Sequence, residues 1–175
     1  MNSLVGGNIG LTHLIAGVLA LILGLAVLVM KKGTQAHRKV GYAYAVSMVV
    51  LIGSSFGIYR LFGGFGVFHA LSLASTFSLV GGMLPMFHEQ RTPRHYETHL
   101  RRMCFSVVGL YMAFAAESFA RVPKFGNFWQ AVAWGSVLTF VICFVVFIRM
   151  KPVWSAKFGK GRILSDRATT SPVKR

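Results

Sequence analysis

Apolar residues run through this chain in five long blocks separated by shorter polar stretches. The blocks extend from Ile9 to Met30, Val40 to Tyr59, Val67 to Phe87, Met103 to Ala120 and Phe128 to Ile148. A helix needs about 20 apolar residues to cross the hydrocarbon layer of a membrane, and each block is close to that length. The pattern predicts an all-α integral membrane protein with five transmembrane helices, the first four forming a bundle and the fifth packed alongside. Because the connections are short, residues 1–150 read as a single transmembrane domain.

The polar stretches fall into two kinds. After the second and fourth blocks come the tight segments RLFGGFG (60–66) and RVPKFGN (121–127), rich in glycine and proline, which break helices. After the first and third come the larger basic segments KKGTQAHRKVG and HEQRTPRHYETHLRR. Proline is favoured in a first helical turn, so Thr92-Pro93 predicts a helix start there, with His95 and His99 one turn apart. Residues 151–175 read as a basic cytoplasmic tail, too polar to bury much apolar area and expected to be disordered.

Composition agrees with the pattern: charged residues are 13% of the chain, against about 25% in soluble domains. A net charge of +15 raises nucleic acid as a partner, but the placement of the charge argues against it. Lys31, Lys32, Arg38 and Lys39 follow the first block, and Arg91, Arg94, Arg101 and Arg102 follow the third. The end of the chain adds Arg149, Lys151, Lys157, Lys160, Arg162, Arg167, Lys174 and Arg175, whereas the opposite side has only Arg60, Arg121 and Lys124. Basic residues gather on the cytoplasmic side of membrane proteins. The expected topology is therefore N-terminus outside and C-terminus inside, with the basic side against anionic lipid headgroups. The first block has no basic residue before it and is longer than a signal-peptide core, so it is expected to remain as a transmembrane helix. Cys104 and Cys143 lie apart without a CxxC and read as small core residues.

Candidate chemistry lies in the histidines. His13 and His69 fall near the outer ends of the first and third blocks, His37 and His99 near the inner ends of the second and fourth. Helices one and three run in one direction, two and four in the other. One histidine from each parallel pair at each face is the layout of a bundle holding two b-type hemes, each iron taking two imidazoles from different helices. Arg38, Arg101 and Arg102 would then neutralise propionates at the inner side. Each histidine has a plainer reading as an amphipathic residue at headgroup level. His88 and His95 read as loop residues. His13 and Gly17, like His37 and Gly41, form HxxxG. A glycine one turn from a histidine leaves room on the same helix face, either for a flat group or for close packing of a neighbouring helix.

Glu117 is the only acidic residue within a block, and it lies eighteen residues after His99, five turns along nearly the same face. Three readings are open: a helical pair with Arg121, a proton-transfer carboxylate beside a redox or quinone site, and a zinc or iron site with His13 and His69. The leading expectation is an electron-transfer protein with heme b, partnered by lipids and by a quinone or redox protein. The alternatives are a non-catalytic accessory subunit and a metal-dependent membrane enzyme using His13, His69 and Glu117. Self-association is open. Walker A and HExxH motifs are absent from the sequence.

The HxxxG of the first block, the segment from Gly33 through His37 and Arg38 to Gly41, the block His99-Leu-Arg-Arg-Met103, and Arg121-Val-Pro123 together resemble a family of bacterial membrane proteins catalogued as domain of unknown function 2306. The likeness covers roughly residues 10–125. It implies a small multipass protein of the bacterial inner membrane and brings no settled activity. Its positions would be His13, His37, Arg38, Gly41, His99, Met103 and Arg121. His69 and Glu117 have no counterpart in it.

Overall fold

The structure, a computed structural model, describes residues 7–58, 67–90, 92–120, 127, 129–130, 132–145 and 148–149. The 60–66 segment, residues 121–126 and the 151–175 tail lie outside the described residues, and with them Arg60, Arg121 and Lys124. Among the described residues all regular structure is helical. The elements are α1 (Asn8–Val29), α2 (Gln35–Ser55), α3 (Val67–Met83) with a following 3-10 turn (Leu84–Phe87), and α4 (Pro93–Ala120). A further apolar helix, α5, spans Val132–Val145. Two stretches, Asn8–Val29 and His69–Phe87, are long and apolar enough to cross a membrane.

Helices α2 and α4 start before their apolar blocks, because capping chemistry rather than hydropathy sets a helix start. Between α1 and α2, Gly33 sits at φ 80°, a left-handed backbone that glycine adopts without the Cβ penalty. Thr34 then caps α2, its hydroxyl accepting the N–H of His37 at 3.1 Å. At the other side of this turn the Lys32 ammonium donates to the Leu28 carbonyl at 2.7 Å and to that of Val27. Those carbonyls belong to the last turn of α1, where a cation meets the negative end of the helix dipole. The same logic starts α4. Pro93 occupies its first position, His95 N–H donates to the Thr92 carbonyl at 2.9 Å, and Thr92 N–H donates to His95 Nδ1 at 3.3 Å. His95 thus makes the returning bond of a capping box, in the place usually held by Glu or Gln.

Helix α3 tightens into the 3-10 turn where Pro85, near the start of that turn, removes a backbone donor. The last carbonyls of an α-helix lack intrahelical partners. The Gly82 carbonyl is one of these, and it is met from α4 by His99 Nδ1 at 2.7 Å.

Helices α1 to α4 form a four-helix bundle in which every pair of neighbours is antiparallel. Along α1 and α2, His13 meets Ser54 and Gly24 meets Tyr44. Along α3 and α4, Gly109 meets Ser75, and Gly81 lies under Arg102. Ser55 and Ser72 hydroxyls join α2 to α3 at 2.9 Å, and the Tyr111 hydroxyl donates to the Leu21 carbonyl, joining α4 to α1. The backbones of α1 and α3 do not approach one another, nor do those of α2 and α4; these are the diagonal, parallel pairs. Helix α5 lies outside on α4: a Cβ on Gly135 would stand 2.8 Å from the Phe119 ring and 3.1 Å from the Ala115 backbone.

The core is small and partly polar. Ala20, Tyr44, Met48, Leu79, Val107 and Leu110 form its cluster. Tyr44 and Ser106, both essentially fully buried, share a hydrogen bond at 3.0 Å across the α2–α4 diagonal. The Tyr44 ring fits because Gly24 has no side chain; a Cβ there would stand 3.1 Å from Cε2. In α1 the small stripe Ala16, Ala20, Gly24 turns inward, while Ile22, Val46, Val49, Phe77 and Trp134 face outward. Large apolar side chains outside and small ones inside is the arrangement by which helices pack closely in lipid.

Candidate functional site

Helices α2 and α4 are parallel, so residues seven apart on each repeat nearly the same face, about 10.5 Å along the axis. Tyr44 lies seven residues after His37, and Ser106 seven after His99. The Tyr44–Ser106 hydrogen bond therefore sets the register of the layer below it and puts His37 and His99 at one level of the bundle. Their electrostatics agree. Burial lowers the pKa of His37, and the charges of Lys32 and His99 lower it further. Burial also lowers the pKa of His99; the hydrogen bond to Gly82 opposes this, and Lys32 adds to the lowering. This end of the bundle thus gathers Lys32 from the α1 terminus, His37 from α2, the Gly82 carbonyl from α3 and His99 from α4.

The hydrogen bonds assign protons. A carbonyl only accepts, so the His99 Nδ1 that meets Gly82 carries its hydrogen, and a neutral ring then has its lone pair on Nε2. Such a bond at one ring nitrogen orients the other toward a metal in most histidine sites. His37 is fixed in the first turn of α2 by the Thr34 cap. Its Nδ1 is buried and meets no hydrogen-bonding group among the described residues. Gly41, one turn further along the same face, would meet nothing within 4 Å if it carried a Cβ. This face of α2 is open beside its histidine. The other HxxxG differs, because Leu51 stands 3.4 Å from the Cβ position of Gly17 and helix packing uses that room.

At the opposite end both histidines lean on the last turn of α2. His13 Nδ1 lies 3.0 Å from the Ser54 hydroxyl. That hydroxyl gives its one hydrogen to the Leu51 carbonyl at 3.0 Å, so it accepts from His13, whose lone pair then falls on Nε2. His69 is 4% exposed, with its ring 5.8 Å from that of Phe56. Glu117 is half-buried on α4, and Arg121, its suggested pair, lies outside the described residues. Among the described residues no three His, Cys, Asp or Glu side chains gather as a metal-binding group, and His13, His69 and Glu117 are not brought together as one.

Arg38 and Arg101 are exposed. Arg102 lies across α3 over Gly81, its Nη1 3.4 Å from the Phe77 carbonyl. Among the described residues the cation whose charge acts on both histidines is Lys32, which sequence reasoning grouped with the other basic residues. Its position three residues beyond the end of α1 was the available signal. The serine partners Ser54 and Ser106 gave none, since hydroxyls in apolar helices usually bond to their own backbone.

No family model, curated protein or solved structure matches this chain.

Proposed function

We propose that the chain is a five-span helical protein of the bacterial inner membrane that carries electrons through b-type heme, held first of all by His37 and His99. The observation that carries this reading is the histidine layer beneath the Tyr44–Ser106 hydrogen bond. Two imidazoles from diagonal, parallel helices share one level, one with its proton fixed on Nδ1 by the Gly82 carbonyl, the other beside the open face at Gly41. That donor set fits a bis-imidazole heme. Both rings are biased toward the neutral form that ligates iron.

When bound, heme supplies one-electron redox chemistry at a potential tuned by its axial ligands and its surroundings. The chain's own part is to hold and shield. The Gly82 carbonyl fixes the His99 ring, the Thr34 cap fixes the backbone that carries His37, and Tyr44, Met48 and Val107 close the bundle above them. The Lys32 ammonium brings positive charge to a site that would hold anionic propionates, with Arg38 and Arg101 nearby in sequence. His13 and His69 are proposed as the ligands of a second centre at the other end, and a quinone or redox protein as the electron partner. The membrane reading is supported by the two long apolar stretches and by the large apolar side chains facing outward on α1, α2, α3 and α5. In water, patches of that size would drive association.

The test is the visible spectrum of the detergent-purified protein, oxidised and then reduced with dithionite, with pyridine hemochrome quantification. A Soret band with sharp bands on reduction is the expected result, and heme per chain distinguishes one centre from two. A colourless protein made with ample heme overturns the proposal.

A further inference from the structure

We propose that a groove between α3 and α4, at the end that carries the basic loops, binds an anionic phospholipid, with the phosphate on Arg102 and an acyl chain along α3. The inference rests on the membrane reading and is independent of heme.

The groove has a volume of about 500 Å³, and its walls differ in chemistry. On α3 and the first residue of its 3-10 turn, Phe77, Val80 and Leu84 are spaced i, i+3 and i+7, and all three are exposed, Phe77 by 72%. On α4, His95, Thr98 and Arg102 repeat at i, i+3 and i+7 and supply polar groups. His88 closes the end beyond the 3-10 turn, its ring stacked on that of His95 with centroids 4.8 Å apart. The result is an apolar trough with a basic group beside it, level with Phe77 and Gly81 and with the start of the apolar block of α4 at Met103. An amphiphile of opposite head charge, lying parallel to the helices, has this shape.

Gly81 makes the arrangement possible. A Cβ there would stand 2.8 Å from Arg102 Cζ, so a side chain at this position would push the guanidinium off its seat on α3 between the trough and the polar stripe. Among the described residues Arg102 has one hydrogen-bond partner, the Phe77 carbonyl, at a long 3.4 Å from Nη1, which leaves most of the five guanidinium hydrogens for a phosphate, which arginine binds bidentately. His95 Nδ1 accepts from Thr92, so a neutral His95 carries its hydrogen on Nε2 and adds a donor. Neither Glu89 nor Glu97 lines the groove. A headgroup phosphate and free phosphate share the arginine chemistry, but only a lipid also uses Phe77, Val80 and Leu84.

The experiment uses the full chain in detergent, exchanged into mixed micelles of phosphatidylglycerol and phosphatidylcholine, with bound lipid read by native mass spectrometry. The wild type is expected to retain phosphatidylglycerol about tenfold over phosphatidylcholine, the scale of one charge-assisted hydrogen-bond pair. Arg102→Gln should lose that preference, and Arg102→Lys should keep part of it as a point charge. Equal retention of the two lipids by the wild type overturns the proposal, as does a preference unchanged in Arg102→Gln. Full displacement of the lipid by millimolar inorganic phosphate overturns the lipid assignment, because the apolar trough would then contribute nothing. Carbonate extraction of the source membranes is scored in parallel. A chain that resists carbonate yet shows no lipid preference fails this inference alone, whereas one released by carbonate fails the membrane reading on which it rests.

Discussion

His99 shows how much one hydrogen bond decides. Its Nδ1 proton goes to Gly82 because α3 gives up α-helical bonding just before Pro85, leaving that carbonyl open. Substituting His99 by alanine removes a ring nitrogen and leaves the carbonyl without this donor. His99→Ala is expected to abolish the low-spin reduced bands of the His37–His99 centre, while His13→Ala removes at most the second centre; heme per chain in the two variants checks this. The pH dependence follows from the same residues. His37 and His99 both titrate below their free value, so between the folded and free pKa values the unfolded chain binds more protons than the folded one. Stability there rises with pH: it is full above about pH 6.5, the free histidine value, and declines as pH falls through that value toward the folded ones. Iron ligation acts in the same direction, because a ligated imidazole is unprotonated. Melting of the detergent-solubilised protein from about pH 8 to about pH 5 should show that decline, with a shallower slope in His99→Ala. An equal slope in both proteins would remove His99 from the account. The histidines themselves were legible in the sequence as residues of paired depth. Their proton positions were not, because these depend on Gly82 and Ser54, which are distant in sequence and carry no chemical signal of their own.

At the scale of elements, glycines separate packing from binding. Gly24 and Gly41 are both helical, yet Gly24 touches Tyr44 and Val107 while Gly41 touches nothing. Gly24→Leu overpacks the core, at a cost of about 1–3 kcal/mol, and should lower the melting temperature whether or not heme is present. Gly41→Leu should leave the heme-free protein as stable as the wild type, or slightly more so given glycine's poor helix propensity, and should weaken heme retention by filling the face beside His37. A Gly41→Leu variant that holds heme as the wild type does would show that the open face is not used. The cap gives a third measurement: Thr34→Ala removes the acceptor of the His37 N–H and should cost about 1 kcal/mol in denaturant unfolding. Apolar blocks made all five helices legible, and Thr92-Pro93 located the start of α4. The early start of α2 was less legible, because a threonine cap after a left-handed glycine leaves little trace in hydropathy. The HxxxG pair was legible as a motif but ambiguous in use, since identical spacing is filled by Leu51 in α1 and left open in α2.

At the scale of the whole molecule, the number of membrane crossings fixes a parity. Two stretches pass the length and apolarity test; α2, α4 and α5 carry more polar residues or are shorter, and their outward faces alone do not decide. If only α1 and α3 crossed, both chain ends would lie on one side. With all five crossing, the ends lie on opposite sides, and the charge pattern says which is which. Of the 19 Lys and Arg residues, all but Arg60, Arg121 and Lys124 fall on the side of the 31–39 and 91–102 segments and the C-terminal tail. Positive loop charge orients spans toward the cytoplasm, so the C-terminus is predicted inside and the N-terminus outside. A reporter that fluoresces only in the cytoplasm should be bright when fused after Arg175 and dark when exported before Met1. A phosphatase active only outside should give the reverse pattern. Fusions after Gly33 and after Glu89 should behave like the C-terminal one, because the bundle places the α1–α2 and α3–α4 connections at the same end. Both termini reporting the same side would contradict five crossings directly. The histidine layer at His37 and His99 would then have to be read without a membrane, and the outward-facing Phe77 and Trp134 would need a protein partner rather than lipid to cover them.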